Sequence, residues 1–265
     1  FAVSSFSAPL PAMAAGEVGD GFAAAEDRLL ELMNAARKNP IQAMIDCGVD
    51  PEAVLAASPE DAGYLTRGMP QLVSEPRLRA TARAHTLDML TLNFYGHQGS
   101  DGRGYEQRIE EGGYDAVEAG ETLGFIAFYN YMDSMLAAEN FFKNMLRDEL
   151  NPELELPRNI LNPYMTDAGI GLGSGQVVID QRGYNAYMLT CDFGSDVTDN
   201  ITEKGAESTL LILINQARMR PLDVAVSLGV DVESVRAANP ERYSRWAAGM
   251  PPVGKNISLT AAAKT

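Results

Sequence analysis

The sequence predicts an α/β chain of the α+β kind, in which helices precede, separate and follow a few strands and cover a sheet on both faces. Three observations predict it. Between Pro76 and Leu92, the residues Leu78, Ala82, His85, Met89 and Leu92 recur at spacings of four, three, four and three, one apolar helical face. The segments Glu121 to Phe128, Ala168 to Leu172 and Ala186 to Phe193 are short, apolar or alternating, and bounded by Gly or Asn, the mark of strands. Leu136 to Leu150 reads as a further helix.

In chain order, residues 1–25 read as a linker or the remnant of a processed leader. They are rich in Ala, Ser, Pro and Gly, and Ala12-Met13-Ala14 fits the small-residue cleavage pattern of a secretory signal, with no charged region before it. A helix begins near Leu29, and about 30 helical-looking residues follow from Lys38 to Arg67. The helix over Pro76–Leu92 puts His85 on its buried side, as a core histidine satisfied by backbone or carboxylate, or as a wall of a cavity. The turn at Asp101-Gly102 leads into a short helix over Glu106–Glu111. Arg103 and Arg108 are expected to pair with local carboxylates.

An ordered run of short signatures is more specific than any of these elements. It reads Phe94-Tyr95-Gly96-His97, Asp101-Gly102-Arg103, Ala119-Gly120-Glu121-Thr122-Leu123, Arg158-Asn159-Ile160-Leu161-Asn162-Pro163, Asp167-Ala168-Gly169-Ile170-Gly171 and Thr190-Cys191-Asp192-Phe193-Gly194. From Leu29 to Gly194 the chain thereby resembles the CAP superfamily, the SCP-like domains of cysteine-rich secretory, antigen 5 and pathogenesis-related 1 proteins, in its bacterial form. The resemblance implies a three-layer α-β-α sandwich with a mixed, largely antiparallel sheet, and a secreted protein, extracellular or in the cell envelope. Lys38 to Arg67 depart from most relatives, which cross this stretch in a few residues. They form a helical insertion at about 38–68 in a domain running over 26–195.

The chain also repeats itself. With a shift of 181 residues and no gap, Leu29 to Arg37 falls on Leu210 to Arg218, Pro40 on Pro221, Gly48-Val49-Asp50 on Gly229-Val230-Asp231, and Gly68-Met69-Pro70 on Gly249-Met250-Pro251. About 22 of 58 aligned pairs are identical, where chance at this composition gives one in fifteen or so. Asn34 and Arg37 recur as Asn215 and Arg218, so their expected task is packing or capping. Residues 206–265 read as the helical start of a second CAP-like repeat, truncated before any counterpart of His97 or Glu121. The chain then reads as a piece of a tandem-domain protein; the alternative is a duplicated helical appendage that decayed.

The formal net charge of -15 argues against nucleic acid and against an anionic membrane surface, which both need a basic face. No apolar run approaches the roughly 18 residues that span a bilayer. Cys47 and Cys191 could pair in an exported protein, but Leu228 stands where the repeat would place Cys47, which favours buried free thiols.

Chemistry rests on few residues. His97 and His85 are the two histidines. His97 sits between an aromatic pair and a polar loop, at the edge of a cleft. The resemblance implies that His97 and Glu121 line a cavity which in some relatives binds a divalent cation, Zn²⁺ being suited to imidazole and carboxylate. The set is incomplete here: Leu156 occupies the second His position, and Asn144 or Met145 that of the second Glu. No Ser or Cys nucleophile motif, zinc-protease helix or Walker loop occurs. The expected function is a non-enzymatic binding module. Its cleft around His97, Glu121, Tyr95, Phe94 and His85, with Phe141 as a further wall, would hold a small molecule, a lipid or a peptide end. The alternatives are a metal-dependent hydrolase of peptide or cell-wall material using His97 and Glu121, and a structural or adhesion spacer.

Overall fold

The computed structural model describes residues 16–196, 203–251 and 253. The expected leader remnant at Ala12-Met13-Ala14 and the end of the repeat beyond 253 lie outside these residues. Strand β1 (Glu17–Val18) precedes helix α1 (Ala23–Lys38). The stretch expected as an insertion folds as α2 (Pro40–Asp46), α3 (Pro51–Ala57) and α4 (Ala62–Arg67). Then come β2 (Val73–Ser74), α5 (Pro76–Leu92), α6 (Tyr105–Glu111), β3 (Ala116–Phe128), α7 (Ser134–Leu150), β4 (Asp167–Ile179) and β5 (Arg182–Asp196). Helices α8 (Glu203–Met219), α9 (Pro221–Ser227), α10 (Val232–Ala238) and α11 (Pro240–Ala247) follow.

The strands form one sheet in the order β1-β4-β5-β3, antiparallel throughout except for β2, which adds to β4 in parallel. The expected strands are present but longer, because pairing continues past the apolar stretches into residues that periodicity alone cannot assign. Helix α5 covers one face of the sheet, and α1 with α7 covers the other, a three-layer α-β-α sandwich. Among the described residues no helix is long and apolar enough to cross a membrane.

Each layer has a local cause. In α5, Pro76 occupies the first turn, where its missing N–H costs nothing, and the Glu75 carboxylate accepts from the Arg77 N–H. The helix ends at Asn93, whose left-handed backbone and side-chain amide, bonded to Val178 at both ends, pin it to β4. A side chain at Gly169 or Gly171 would collide with the backbone of α5 at Leu78-Arg79 and at Ala82-Arg83. The Gly169-Ile170-Gly171 signature is therefore the footprint of the helix on the strand.

On the opposite face, α1 buries Leu29, Met33 and Ala36 together with Arg37. The Arg37 guanidinium donates to the carbonyls of Pro70, Ile160, Asn162 and Met165 at 2.6–2.8 Å, and burial lowers it to about 9, still charged at neutral pH. Asn34 closes a two-way bond with the backbone of Leu72. The second copy repeats these bonds. Asn215 exchanges the same pair with Val253, the Arg218 Nε donates to Pro251 at 2.8 Å as that of Arg37 does to Pro70, and Gly68 and Gly249 both hold positive φ, 81° and 68°. The two recurring polar residues thus tie a helix to the Gly-Met-Pro turn that follows. Cys47 and Cys191 are both buried free thiols.

Candidate functional site

Glu121 is placed by β3 opposite Asp192 of β5, where its side chain is fully buried. His97 follows the end of α5 in the loop before α6, and its Nδ1 lies 2.7 Å from Glu121 Oε1. A carboxylate only accepts, so Nδ1 is the donor to Glu121, and in the neutral ring Nε2 then bears the lone pair. The other oxygen of Glu121 accepts from Arg108 Nη2, while Arg108 Nη1 donates to the carbonyls of His97 and Arg103. Both carboxylate oxygens are thereby engaged. Among the described residues, His97 Nε2 has no protein partner.

The pair opens on a cleft of about 550 Å³. Tyr95, Tyr105, Leu123, Met145, Leu156 and Pro157 are among its walls, with Asp148 and Asn159 as further polar members. The His97 side chain is 60% exposed and meets Tyr105 edge-on, with ring centroids 6.4 Å apart. Tyr95 is tilted against Phe125, and burial, helped by the charges of Asp148 and Glu121, pushes its phenol up to about 12.

The structure divides the residues expected at the cleft. His97, Glu121 and Tyr95 line it together. His85 and Phe94 stand behind the wall instead: His85 is buried, its Nε2–H donates to the Gly96 carbonyl at 2.9 Å, and its ring meets Phe94 at 6.2 Å. Their effect on the cleft is to fix the backbone just before His97. Burial lowers the His85 pKa and keeps the ring neutral, with Nδ1 buried and unbonded. Phe141 lies in the core beneath Gly124 rather than on the cleft surface.

Several residues of the site were not singled out by the sequence. Arg108 was expected to pair only locally, yet it spans from its helix to the sheet. Asp192 accepts from the Thr81 hydroxyl at 2.7 Å and is otherwise confronted by Glu121. Burial, reinforced by the Glu121 charge, raises its pKa well above the usual carboxylate range. A proton on Asp192 resolves the conflict, since its Oδ1 receives no donor and a neutral acid can itself donate. Asn159 donates to the Glu121 carbonyl and to the Thr122 hydroxyl, in a space that only Gly120 leaves open. The Gly120-Glu121 and Asn159 signatures therefore interlock. Glu149 is a framework residue: it accepts the backbone N–H groups of Asn159, Ile160 and Leu161 at 2.7–2.9 Å, which holds the Leu156–Pro157 rim.

Within the cleft Glu121 has both oxygens committed, one of them to a cation, and Leu156 offers no donor, which leaves His97 Nε2 and the Asp148 carboxylate. Among the described residues no group of three or more His, Cys, Asp or Glu converges as a ligand set.

No protein-family model matches the chain, and no curated protein sequence does. The chain is similar to the crystal structure of an extracellular protein containing an SCP domain from Bacillus anthracis str. Ames, at 16% identity and a TM-score of 0.37. The alignment covers 65% of this chain and 40% of that one.

Proposed function

We propose that residues 26–195 form a secreted, CAP-like binding module without catalytic turnover, whose cleft takes a ligand with an apolar body and a hydrogen-bond donor. The ordered signatures from His97 to Gly194 support the family reading and, through it, the secreted location. One observation carries the binding reading: the Nδ1 bond to Glu121 leaves His97 Nε2 as a fixed acceptor beside apolar walls. An acceptor selects a hydroxyl, amine or amide N–H in the ligand. Among the described residues no lysine or arginine lines the cleft, and Arg108 is paired with Glu121, so a carboxylate head meets no free cation and faces Asp148 instead. The ligand is a neutral or cationic amphiphile. Helices α8–α11 are read as the opening layer of a second such module, on the strength of the repeated Asn215 and Arg218 bonds.

Calorimetric titration with decanol, decylamine and decanoate tests the reading. Decanol and decylamine should bind and decanoate should not, with binding lost in the His97→Ala, Glu121→Gln double variant. Binding that survives the double variant, or a preference for decanoate, would overturn it. Stoichiometric Zn²⁺ uptake lost in the same variant would restore the hydrolase alternative.

A further inference from the structure

A second hollow lies at the far end of the sheet and shares no residue with the His97 cleft. The sheet face under α1 and α7 is apolar through Ala168, Ile170 and Leu172 on β4 and Phe193, Cys191 and Leu189 on β5. Because side chains alternate, the same face continues as Ser174 and Gln176 on β4 and as Tyr187 and Asn185 on β5. Here the pattern changes from apolar to amide and hydroxyl. Gln176 and Asn185 are cross-strand neighbours, both exposed.

Aromatic rings frame these polar groups. Tyr187 is held by stacking on Phe128 and by its hydroxyl, which donates to the Met132 carbonyl at 2.9 Å. Tyr131, 86% exposed, borders the same hollow of about 510 Å³. Beside it Tyr129, 72% exposed, lies against Tyr184 with centroids 4.9 Å apart and hydroxyls 3.2 Å apart. Exposed rings grouped beside a buried, anchored one mark a contact surface.

The lining chemistry selects among ligands. Among the described residues no lysine or arginine lines the hollow, and its one charge is the Glu17 carboxylate, so an anion gains nothing there. A wholly apolar ligand would strand the Gln176 amide and the Asn185 side-chain carbonyl, the Asn185 Nδ2 already donating to the Tyr129 carbonyl at 3.4 Å. A neutral sugar offers a C–H face to lie on tyrosine rings and hydroxyls that both donate to and accept from amides. We infer that this hollow binds a neutral saccharide chain, independently of the His97 cleft.

The test uses the whole chain, ¹⁵N-labelled, with cellohexaose, chitohexaose and maltohexaose as probes. At least one should shift the side-chain amide signals of Gln176 and Asn185 in a saturable way. Tyr131→Ala, a change at an exposed position that leaves the core intact, should weaken that probe about tenfold, and His97→Ala should leave it unchanged. The inference fails if none of the three probes shifts those signals up to its solubility limit, if Tyr131→Ala binds as the parent does, or if decanol shifts the same signals and the sugars do not.

Discussion

Arg108 fixes both members of the His97–Glu121 pair, donating from Nη2 to the Glu121 carboxylate and from Nη1 to the His97 carbonyl. Removing it leaves a fully buried carboxylate without its cation, a loss that costs about 3–5 kcal/mol in comparable settings. Arg108→Ala should therefore lower the urea midpoint far more than Arg103→Ala, whose partners Asp101 and Glu111 are half-exposed. Arg108→Lys should recover only part of the loss, because an ammonium cannot span both acceptors in the fixed fork of a guanidinium. Equal effects of the two alanine variants would show that the clamp contributes no more than a surface ion pair.

Asp192 makes stability depend on pH. Its folded pKa is raised, so the fold retains a proton that the unfolded chain loses above about pH 4. This contribution is complete below about pH 4 and is lost as pH rises toward the folded value. Glu149 and Asp167 are raised by burial and act with the same sign, whereas His85, lowered by burial, contributes stability above about 6.5 that is lost as pH falls. Asp192→Asn imitates the protonated acid, accepting from Thr81 and donating toward Glu121. Its stability relative to the parent should grow between pH 5 and about pH 8 in urea titrations, and a difference that stays constant or shrinks over that range would contradict a protonated Asp192.

Glu149 holds the rim of the cleft from beneath. A carboxylate can accept all three backbone N–H groups of the Asn159–Leu161 turn, whereas an amide brings one oxygen and an NH₂ that opposes those donors. Glu149→Gln should destabilise the protein by about 2 kcal/mol and shift backbone amide signals from Leu156 to Leu161 while sparing β3 and β5 away from the turn. Signals that stay in place would mean that the rim is held by its apolar contacts.

The layers were legible in the sequence because burial writes a period into it. The bounds of α5 are those read from its spacing, and His85 lies on the side its face assigns. His97 and Glu121 were legible through the order of the signatures, although the geometry between them was not. Arg108 and Asp192 escaped because their significance arises from register: Asp192 matters only once β5 sets it against Glu121, and Arg108 only once α6 swings its guanidinium over that pair. Leu156, where the resemblance expected a histidine, lines the cleft as an apolar wall.

The glycines of β4 allow a sharper test of the layer contact. Gly169→Ala would place a methyl group against the backbone of Leu78 and Arg79, which cannot move aside as a side chain can. The expected loss is about 3 kcal/mol or more in urea unfolding, against under about 1 kcal/mol for Gly183→Ala in the same sheet, where nothing lies near the added atom. Similar losses at both positions would assign the effect to strand backbone entropy instead of the helix contact.

The second copy reproduces the polar fastening of the first without its apolar cover. Leu210 and Leu228 are 57% and 76% exposed, while their counterparts Leu29 and Cys47 are 1% and 2% exposed beneath the rest of the domain. Among the described residues its links to the rest of the chain include the Arg67 bond to the Gly249 carbonyl, the approach of Arg220 to Asp61 at 3.8 Å and the packing of Met219 against the core. Little apolar burial means little stability of its own. Trp246, the single tryptophan of the chain, stands in α11 and so reports on this part alone. In urea the tryptophan emission should change at a lower midpoint than the far-ultraviolet dichroism, which the larger domain dominates. Asn215→Ala removes both bonds to Val253 and should lower the emission midpoint further, at a cost of about 1–2 kcal/mol, and leave the second transition where it was. Coincident midpoints in the parent protein would show instead that α8–α11 unfold as one unit with the sheet domain.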